Sequence, residues 1–234
     1  MKGLFKSAIR DPDPVAFFIH IGDFGKSGSL PAGEFYEPLG AASIRREGTH
    51  VTLVTYNPFM LRLAYTAAMI LDPPREPAGL IAKVRELQEA GQEFPADLLD
   101  ELTTAVYGQS VLGHNITPAA FAGLDFDLPA DRRISVEIID LRTLVPLDFE
   151  TIATSVRKTG RLIVLHESVK VAGFGAEIIA RITENFDTMY ALKARPIRIG
   201  AANTPVPVAP NLLWSRLPSL QDIIQSARSL MEES

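Results

Sequence analysis

The sequence of 234 residues is 47% hydrophobic and 22% charged, and it carries a formal net charge of −5. This composition is typical of a folded domain and excludes a disordered, collagen-like or coiled-coil chain. The acidic balance argues against nucleic-acid binding, because phosphate contacts require a basic face.

The chain contains no cysteine and four histidines. The lack of cysteine excludes disulfides, thiolate zinc sites, iron–sulfur clusters and a cysteine nucleophile. No two histidines have the spacing that lets a pair bind one metal from a single helix, so the sequence predicts no metal ligand. No apolar run approaches the roughly 20 residues of a membrane span, and no secretory signal is recognisable. We therefore expect a cytoplasmic protein that contacts neither membrane nor nucleic acid.

Short apolar runs and helical patterns alternate along the chain. Apolar runs rich in β-branched and aromatic residues predict buried strands at residues 14–20, 50–56, 134–141, 161–167 and 196–200. Helical periodicity predicts helices at residues 59–71, 148–158, 176–186 and 219–231. Strands that alternate with helices of this length predict an α/β domain, in which helices cover both faces of a mostly parallel sheet.

An acidic segment at residues 72–133 interrupts this alternation. It contains eleven acidic and five basic residues, whereas the rest of the chain is nearly neutral. Asp72-Pro73-Pro74 ends the preceding helix, and two amphipathic helices are predicted at residues 77–90 and 95–107. Since surface loops tolerate long additions, we expect a helical insertion in a loop, which either caps the domain edge or docks a basic partner.

Two glycine motifs resemble phosphate-binding loops. In the first, Gly22–Ser27, a Walker loop would require glycine at His20, and no helix follows. Phe24 also breaks the G-D-G pattern of a metal and diphosphate turn. The second, Gly173-Phe174-Gly175, opens a predicted helix but lacks the third glycine of a dinucleotide fingerprint. Tight turn geometry and close helix packing explain these two glycines more simply, so no cofactor-binding residue is predicted.

His166 and Glu167 form an adjacent acid–base pair at the end of a predicted central strand. Open parallel sheets tend to place functional groups at this end of their strands. Adjacent strand residues point to opposite faces, however, so the two side chains are not expected to act together. The sequence also lacks a G-x-S-x-G nucleophile elbow, and it predicts no catalytic residue.

Four segments, taken in order, resemble the beta subunit of thiamine-diphosphate-dependent 2-oxo acid dehydrogenases. They are EPLGAASIRREGTHVTLVTY (37–56), IDLRTLVPLD (139–148), KTGRLIVLHE (158–167) and GFGAE (173–177). The resemblance implies that residues 37–234 form a transketolase C-terminal-like domain of about five strands, with the insertion at 72–133. It also implies that residues 1–36 are a remnant of the family's pyrimidine-binding domain plus a linker.

The resemblance further implies a function. The family decarboxylates a 2-oxo acid on thiamine diphosphate and transfers the acyl group to lipoamide, in an assembly of alpha and beta subunits. In such enzymes the pyrimidine-binding domain holds the thiamine ring, and the alpha subunit holds the diphosphate and magnesium. Both lie outside this sequence, so we expect this chain alone neither to bind the cofactor nor to catalyse. We expect it to support assembly with an alpha subunit or by self-association; the alternative is a non-catalytic interaction or regulatory module.

Six residues are candidates for a partner interface: His166, Glu167, Gly173, Phe174, Gly175 and Lys193. Lys193 stands where the family commonly carries an acidic residue. By resemblance to the family, that acidic residue would contact the subunit-binding domain of the acyltransferase. That contact meets basic residues, which a reversed charge would repel, so docking to an acyltransferase core is doubtful. An alignment shift of one or two residues near Pro196 would explain the difference equally well.

Overall fold

The computed structural model describes residues 1–20, 32–75, 78–92 and 124–233, together with residues 95, 97, 98, 101 and 104. One sheet contains five strands: β1 (Ser43–Arg46), β2 (Val51–Thr55), β3 (Val136–Asp140), β4 (Leu162–Val169) and β5 (Ile197–Ala201). Their order across the sheet is β1-β3-β2-β4-β5. β1 runs antiparallel to β3, and the other neighbours are parallel. The predicted α/β fold with a mostly parallel sheet is confirmed.

The described residues also form eight α-helices. They are α1 (Lys2–Arg10), α2 (Pro58–Leu71), α3 (Ala78–Glu89), α4 (Phe149–Thr159), α5 (Gly175–Glu184), α6 (Phe186–Ala191), α7 (Pro210–Ser215) and α8 (Leu220–Glu232). The predicted helix at 95–107 lies mostly outside the described residues. No helix among those that the structure describes is long and apolar enough to cross a membrane.

Both faces of the sheet are buried. On one face the sheet packs against α2 and α8, and on the other face it packs against α4 and α5. Successive residues of β2 show the alternation, because Leu53 joins the first cluster and Val54 joins the second. A parallel sheet covered on both faces explains why its strands read as nearly continuous apolar runs.

Local sequence signals set the helix ends. Asn57 caps α2, where its Oδ1 accepts hydrogen bonds from the backbone N–H groups of Phe59 at 2.8 Å and Met60 at 3.2 Å. Helix α4 is followed by Gly160, whose φ of 73° is a left-handed conformation that glycine adopts without strain. Ser219 caps α8 in a capping box. These caps explain why the predicted helix bounds agree with the structure to within two residues.

The prediction of a strand at residues 14–20 is wrong. These residues form no strand, and Phe18 is 93% exposed. The edge position beside β3 is instead occupied by β1, which contains polar residues and was not predicted. A segment becomes a strand only where the backbone groups of a neighbouring strand are available to it, and β1 obtains them from β3.

A buried polar network supports the sheet beneath α4. Thr52 hydrogen-bonds through its hydroxyl to Ser155 at 2.6 Å and Thr159 at 2.7 Å. The nearly inaccessible carboxylate of Glu137 pairs with Lys158. Burial alone would raise the pKa of Glu137, but hydrogen bonds, chiefly from Lys158, hold that pKa below its usual value. The ion pair therefore ties α4 to β3 while Glu137 remains ionised.

The ends of the acidic segment lie side by side. The N–H of Ile134 donates to the carbonyl of Leu71 at 2.9 Å. The Arg133 guanidinium donates to the carbonyl of Pro73 at 2.7 Å and lies 3.6 Å from the Asp72 carboxylate. A segment with adjoining ends can be shortened without moving the elements that flank it. We therefore propose that residues 72–133 are an insertion in the loop between α2 and β3.

The described part of this segment has a small apolar core of its own. It packs around Met69 of α2 and consists of Ile81, Val84, Leu98, Leu124 and Phe126. Met69 is fully buried. Removal of the segment would therefore expose Met69, whereas Ile70 of α2, which also packs against the small core, keeps its contacts with the main core. A shortened chain needs a polar residue at position 69.

We predict that replacing residues 73–132 by a short Gly-Ser linker, together with Met69→Gln, leaves a domain that unfolds cooperatively. The reason is that the main core lies outside the segment, and loop closure costs little. Thermal unfolding followed by circular dichroism measures this. As the control, Met69→Gln in the full chain should lower the free energy of unfolding by about 1–3 kcal/mol, because it buries an unpaired amide. A shortened chain without a cooperative transition would show that the segment belongs to the main core.

Candidate functional site at the carboxyl edge of the sheet

The carboxyl ends of β2 and β4 lie next to each other at one edge of the sheet. The connection from β2 leads through α2 to β3, whereas the connection from β4 leads through α5 to β5 on the other side. Adjacent strands whose connections leave in opposite directions open a crevice, where open α/β sheets place their ligands. Tyr56, Asn57, His166 and Glu167 lie at this edge. The crevice is therefore the candidate site.

His166 is completely buried in the crevice. Its Nδ1 lies 2.5 Å from the hydroxyl of Ser168, and its ring stacks against Tyr56 with centroids 6.1 Å apart. Its Nε2 is buried and has no hydrogen-bond partner. Burial, with a smaller contribution from the charge of Arg198, lowers the pKa of His166. The imidazole is therefore neutral at physiological pH.

Three glycines enclose this imidazole. A Cβ atom on Gly173 would lie 2.8 Å from the His166 ring, one on Gly175 would lie 3.0 Å from it, and one on Gly200 would lie 3.3 Å from it. A Cβ on Gly173 would also lie 2.4 Å from the carbonyl oxygen of Val169. None of the three has a positive φ. A Cβ on Gly200 would also lie 2.7 Å from the carbonyl oxygen of Ser168. Close packing on the His166 ring and on the backbone of β4, rather than a special turn conformation, therefore requires glycine at these positions.

Glu167 points away from His166, to the opposite face of the sheet. Its carboxylate accepts a hydrogen bond from Nδ2 of Asn57 at 2.6 Å and lies 3.4 Å from Nε2 of His20. The side chain is 34% exposed. Asn57 thus binds Glu167 with its amide nitrogen while its oxygen caps α2. The two members of the sequence-adjacent pair have separate environments, as strand alternation predicts.

Five of the six candidate residues lie at this end of the sheet, although Glu167 is on the opposite face from His166. Phe174 is half-buried and makes an edge-to-face contact with Tyr56, with ring centroids 6.2 Å apart. Lys193 is not part of this group. Its side chain lies over Gly160, next to the amino end of β4, whereas His166 lies near the carboxyl end of that strand. Lys193 and His166 therefore lie at opposite ends of β4.

Burial restricts which of the candidates can touch a partner. His166 and Gly175 are buried inside the chain, whereas Gly173 and Phe174 are half-buried and Lys193 is exposed. A buried His166 could influence a partner only through the packing of the crevice, not by direct contact. Direct contact with a partner protein remains a prediction for four of the candidates: Glu167, Gly173, Phe174 and Lys193.

Sequence reasoning missed the neighbours that complete the site. His20, Tyr56, Asn57 and Ser168 contact the candidate residues. Tyr56 and Asn57 could have been found, because Tyr56 ends a predicted strand and Asn57 follows it, at the same end of the sheet as His166. His20 could not be found in this way, since 147 positions separate it from Glu167 and no spacing rule links them.

His166 and Glu167 face opposite sides of the sheet, so their side chains do not act on one common group. The Nε2 atom of His166 is buried and has no hydrogen-bond partner among the described residues. Among the described residues, no group of three or more His, Asp or Glu side chains could hold a metal ion. The contacts of Asn57 with Glu167 and of Glu167 with His20 hold together the two strand ends and the segment that carries His20.

Comparison with known proteins identifies the relatives of this chain. Residues 126–223 match the family model of the transketolase C-terminal domain. The beta subunit of the pyruvate dehydrogenase E1 component of Bacillus subtilis is 30% identical over 233 residues, which cover 99% of this chain and 52% of that protein. The chain is a relative of the beta subunits of 2-oxo acid dehydrogenases. The resemblance stated from the sequence segments is thus confirmed.

Further beta-subunit relatives show the same coverage. The mitochondrial pyruvate dehydrogenase E1 beta subunit of Pisum sativum is 30% identical over the whole of this chain and 49% of that protein. The beta subunit of acetoin:2,6-dichlorophenolindophenol oxidoreductase of Cupriavidus necator is 30% identical over 99% of this chain and 50% of that protein. This beta-subunit relative therefore spans about half the length of the curated proteins that it matches.

One solved structure is similar to 88% of the chain. It is a split-gene transketolase described as an inactive beta4 tetramer, with 14% identity, a TM-score of 0.48 and coverage of 48% of that protein.

We predict that His166 makes the stability of this beta-subunit relative depend on pH. The ordinary pKa of the side chain is 6.5, and the folded state lowers it. As the pH falls below 6.5, the unfolded chain takes up a proton that the folded chain does not. The free energy of unfolding should decrease by up to about 1.4 kcal/mol per pH unit, until the pH reaches the lowered pKa.

Urea unfolding between pH 7.5 and about pH 5 measures this dependence. His166→Phe should flatten it, and His166→Gln serves if the phenylalanine variant does not fold. Ser168→Ala is the matched control, because it removes the hydrogen bond to Nδ1 but keeps the titrating ring; it should retain the slope. Equal slopes in the wild type and both His166 variants would contradict the prediction.

Proposed function

We propose that this chain serves as the carboxy-terminal part of a 2-oxo acid dehydrogenase beta subunit. In that role it supports assembly of an enzyme that decarboxylates a 2-oxo acid and transfers the acyl group to lipoamide. The observation that carries the proposal is coverage: matches at about 30% identity extend over 97–100% of this chain, yet over only about half of each relative. A chain that corresponds to half of a catalytic subunit is expected to act together with what supplies the other half.

Exposed apolar side chains support a role in assembly. On α6, Phe186 and Tyr190 are each 69% exposed and lie against one another with ring centroids 4.3 Å apart. Val208, just before α7, is 97% exposed, and Phe18 in the amino-terminal segment is 93% exposed. Exposed aromatic pairs such as Phe186 and Tyr190 are enriched at interfaces in soluble proteins. We infer that an alpha subunit, a second copy of this chain, or both cover these side chains.

The site residues do not fit thiamine diphosphate. The crevice at the carboxyl edge is filled by the His166 ring and its glycines, and the described residues offer no cluster that could hold magnesium. In the assembled family enzyme, the cofactor and its magnesium supply the decarboxylation chemistry. We therefore assign no step of that chemistry to the residues described in this chain, and we propose that the chain is not active alone.

The charge near Lys193 bears on a third partner. Lys193 is exposed, and Arg195 next to it pairs with Glu233 at 3.0 Å. Lys193 forms no ion pair with a carboxylate of the described residues, so a basic subunit-binding domain of an acyltransferase would meet a cation there, which disfavours association. We propose that this chain does not dock to a standard acyltransferase core at this position.

We predict that the purified chain self-associates through α6. The double substitution Phe186→Ser/Tyr190→Ser should lower the association constant by about tenfold or more, because it removes the apolar area that drives association. Sedimentation velocity over a range of concentrations measures this. Ile9→Ser, at an exposed apolar position of α1, is the control and should leave association unchanged. A strictly monomeric wild type would count against self-association and leave the alpha subunit as the partner.

A second prediction is that the purified chain does not bind thiamine diphosphate in the presence of magnesium. The reason is that the described residues fit neither the ring nor the ion. Isothermal titration calorimetry measures this, with an assembled alpha–beta enzyme of the family as positive control. A stoichiometric site of micromolar affinity on the isolated chain would overturn the proposal that the cofactor is held elsewhere.

A further inference from the structure

A groove runs along the outer side of the sheet, between β5 and α8. It has a volume of about 530 Å³. Lys170, Arg195 and Arg198 line it on the sheet side, and Gln225, Ser226 and Ser229 line it on the helix side. The groove lies outside the carboxyl-edge crevice, and the function proposed above makes no use of it.

The groove carries an excess of positive charge. Arg195 forms an ion pair with Glu233, which also accepts a hydrogen bond from Ser229 at 3.4 Å. Arg198 donates to the carbonyl oxygen of Lys170 at 2.8 Å. Among the residues that the structure describes, neither Lys170 nor Arg198 forms an ion pair with a carboxylate. Two cations of the groove are therefore available to an acidic ligand.

The groove also borders an open strand edge. β5 is the last strand of the sheet and pairs with β4 on one side. On its other side, no strand lies beside it within the described ranges. The outward backbone groups of such an edge can bind an added strand, and the hydroxyl and amide groups of α8 provide polar partners across the groove. A groove between a strand edge and a helix fits an extended peptide.

The strand edge, rather than the cations alone, favours a chain over a small anion. Lys170 and Arg198 lie close together, since Arg198 donates to the carbonyl oxygen of Lys170 at 2.8 Å. A small anion meets only these charges, whereas a peptide also pairs with the outward backbone groups of β5. An extended peptide places alternate side chains on one face about 7 Å apart, so that successive acidic residues can meet successive cations.

We propose that this groove binds an extended acidic segment of another polypeptide. The segment adds as a strand to the outer edge of β5 and places its carboxylates against Lys170 and Arg198. Its polar side faces Gln225, Ser226 and Ser229 of α8. Cations on an edge strand also prevent edge-to-edge association of sheets, and a groove with that role alone would bind no peptide.

Fluorescence polarisation with a labelled peptide of alternating glutamate and valine tests the proposal. Binding should saturate at low ionic strength and weaken as salt is added. Lys170→Glu/Arg198→Glu should raise Kd by about tenfold or more, because it reverses both available charges. Arg228→Glu is the matched control, since it makes a charge reversal at an exposed position of α8 that does not line the groove; it should change Kd by less than about twofold. If the double variant does not fold, Lys170→Glu alone, at an exposed residue, replaces it.

Two further probes separate strand addition from simple charge attraction. A peptide N-methylated at every second amide, made in both registers, should lose binding in one register, because methylation removes the donors that face β5. Inorganic tripolyphosphate should compete only weakly with the unmodified peptide. Equal binding of both methylated peptides would overturn strand addition and indicate a plain anion site. No binding of the unmodified peptide up to about 1 mM would overturn the proposal altogether.

Discussion

The burial of β2 and β4 on both faces is the constraint on which the rest of the structure depends. Parallel neighbours cannot be joined by a tight turn, so each connection must cross a face of the sheet, and a helix provides the crossing. In this chain the crossing from β2 leads towards β3, and the crossing from β4 leads towards β5. Because these two crossings leave in opposite directions, neither of them covers the carboxyl ends of β2 and β4. The position of the candidate site is thus a consequence of strand order.

The chain fills that position with its own side chains. In many α/β proteins the crevice at such a point receives a ligand. Here the His166 imidazole occupies it, and Gly173, Gly175 and Gly200 provide the space for the ring. The exposed apolar groups lie elsewhere, on α6, before α7 and in the amino-terminal segment. The assembly role proposed for this chain would therefore use these surfaces and not the crevice.

The sequence was informative where structure is determined locally. The four predicted helices that flank the strands agree with the structure because caps such as Asn57 and Ser219 are short-range signals. The strand-end position of His166 and the opposite orientation of Glu167 also follow from periodicity. β1 was missed because its residues are polar and its pairing with β3 joins positions more than 90 residues apart. The contact of His20 with Glu167 is equally non-local, and no pattern within one segment encodes it.

The place of α8 in the chain has a consequence for biosynthesis. This helix packs on α2, and the buried guanidinium of Arg161 donates to the carbonyl of Leu230 within it at 2.9 Å. It follows all five strands in sequence, so it leaves the ribosome after the sheet that it covers. During translation, the apolar side chains of α2 and of the strands beneath α8 therefore remain exposed to solvent until α8 has been synthesised. A nascent chain in this state presents hydrophobic surface that a ribosome-associated chaperone would recognise.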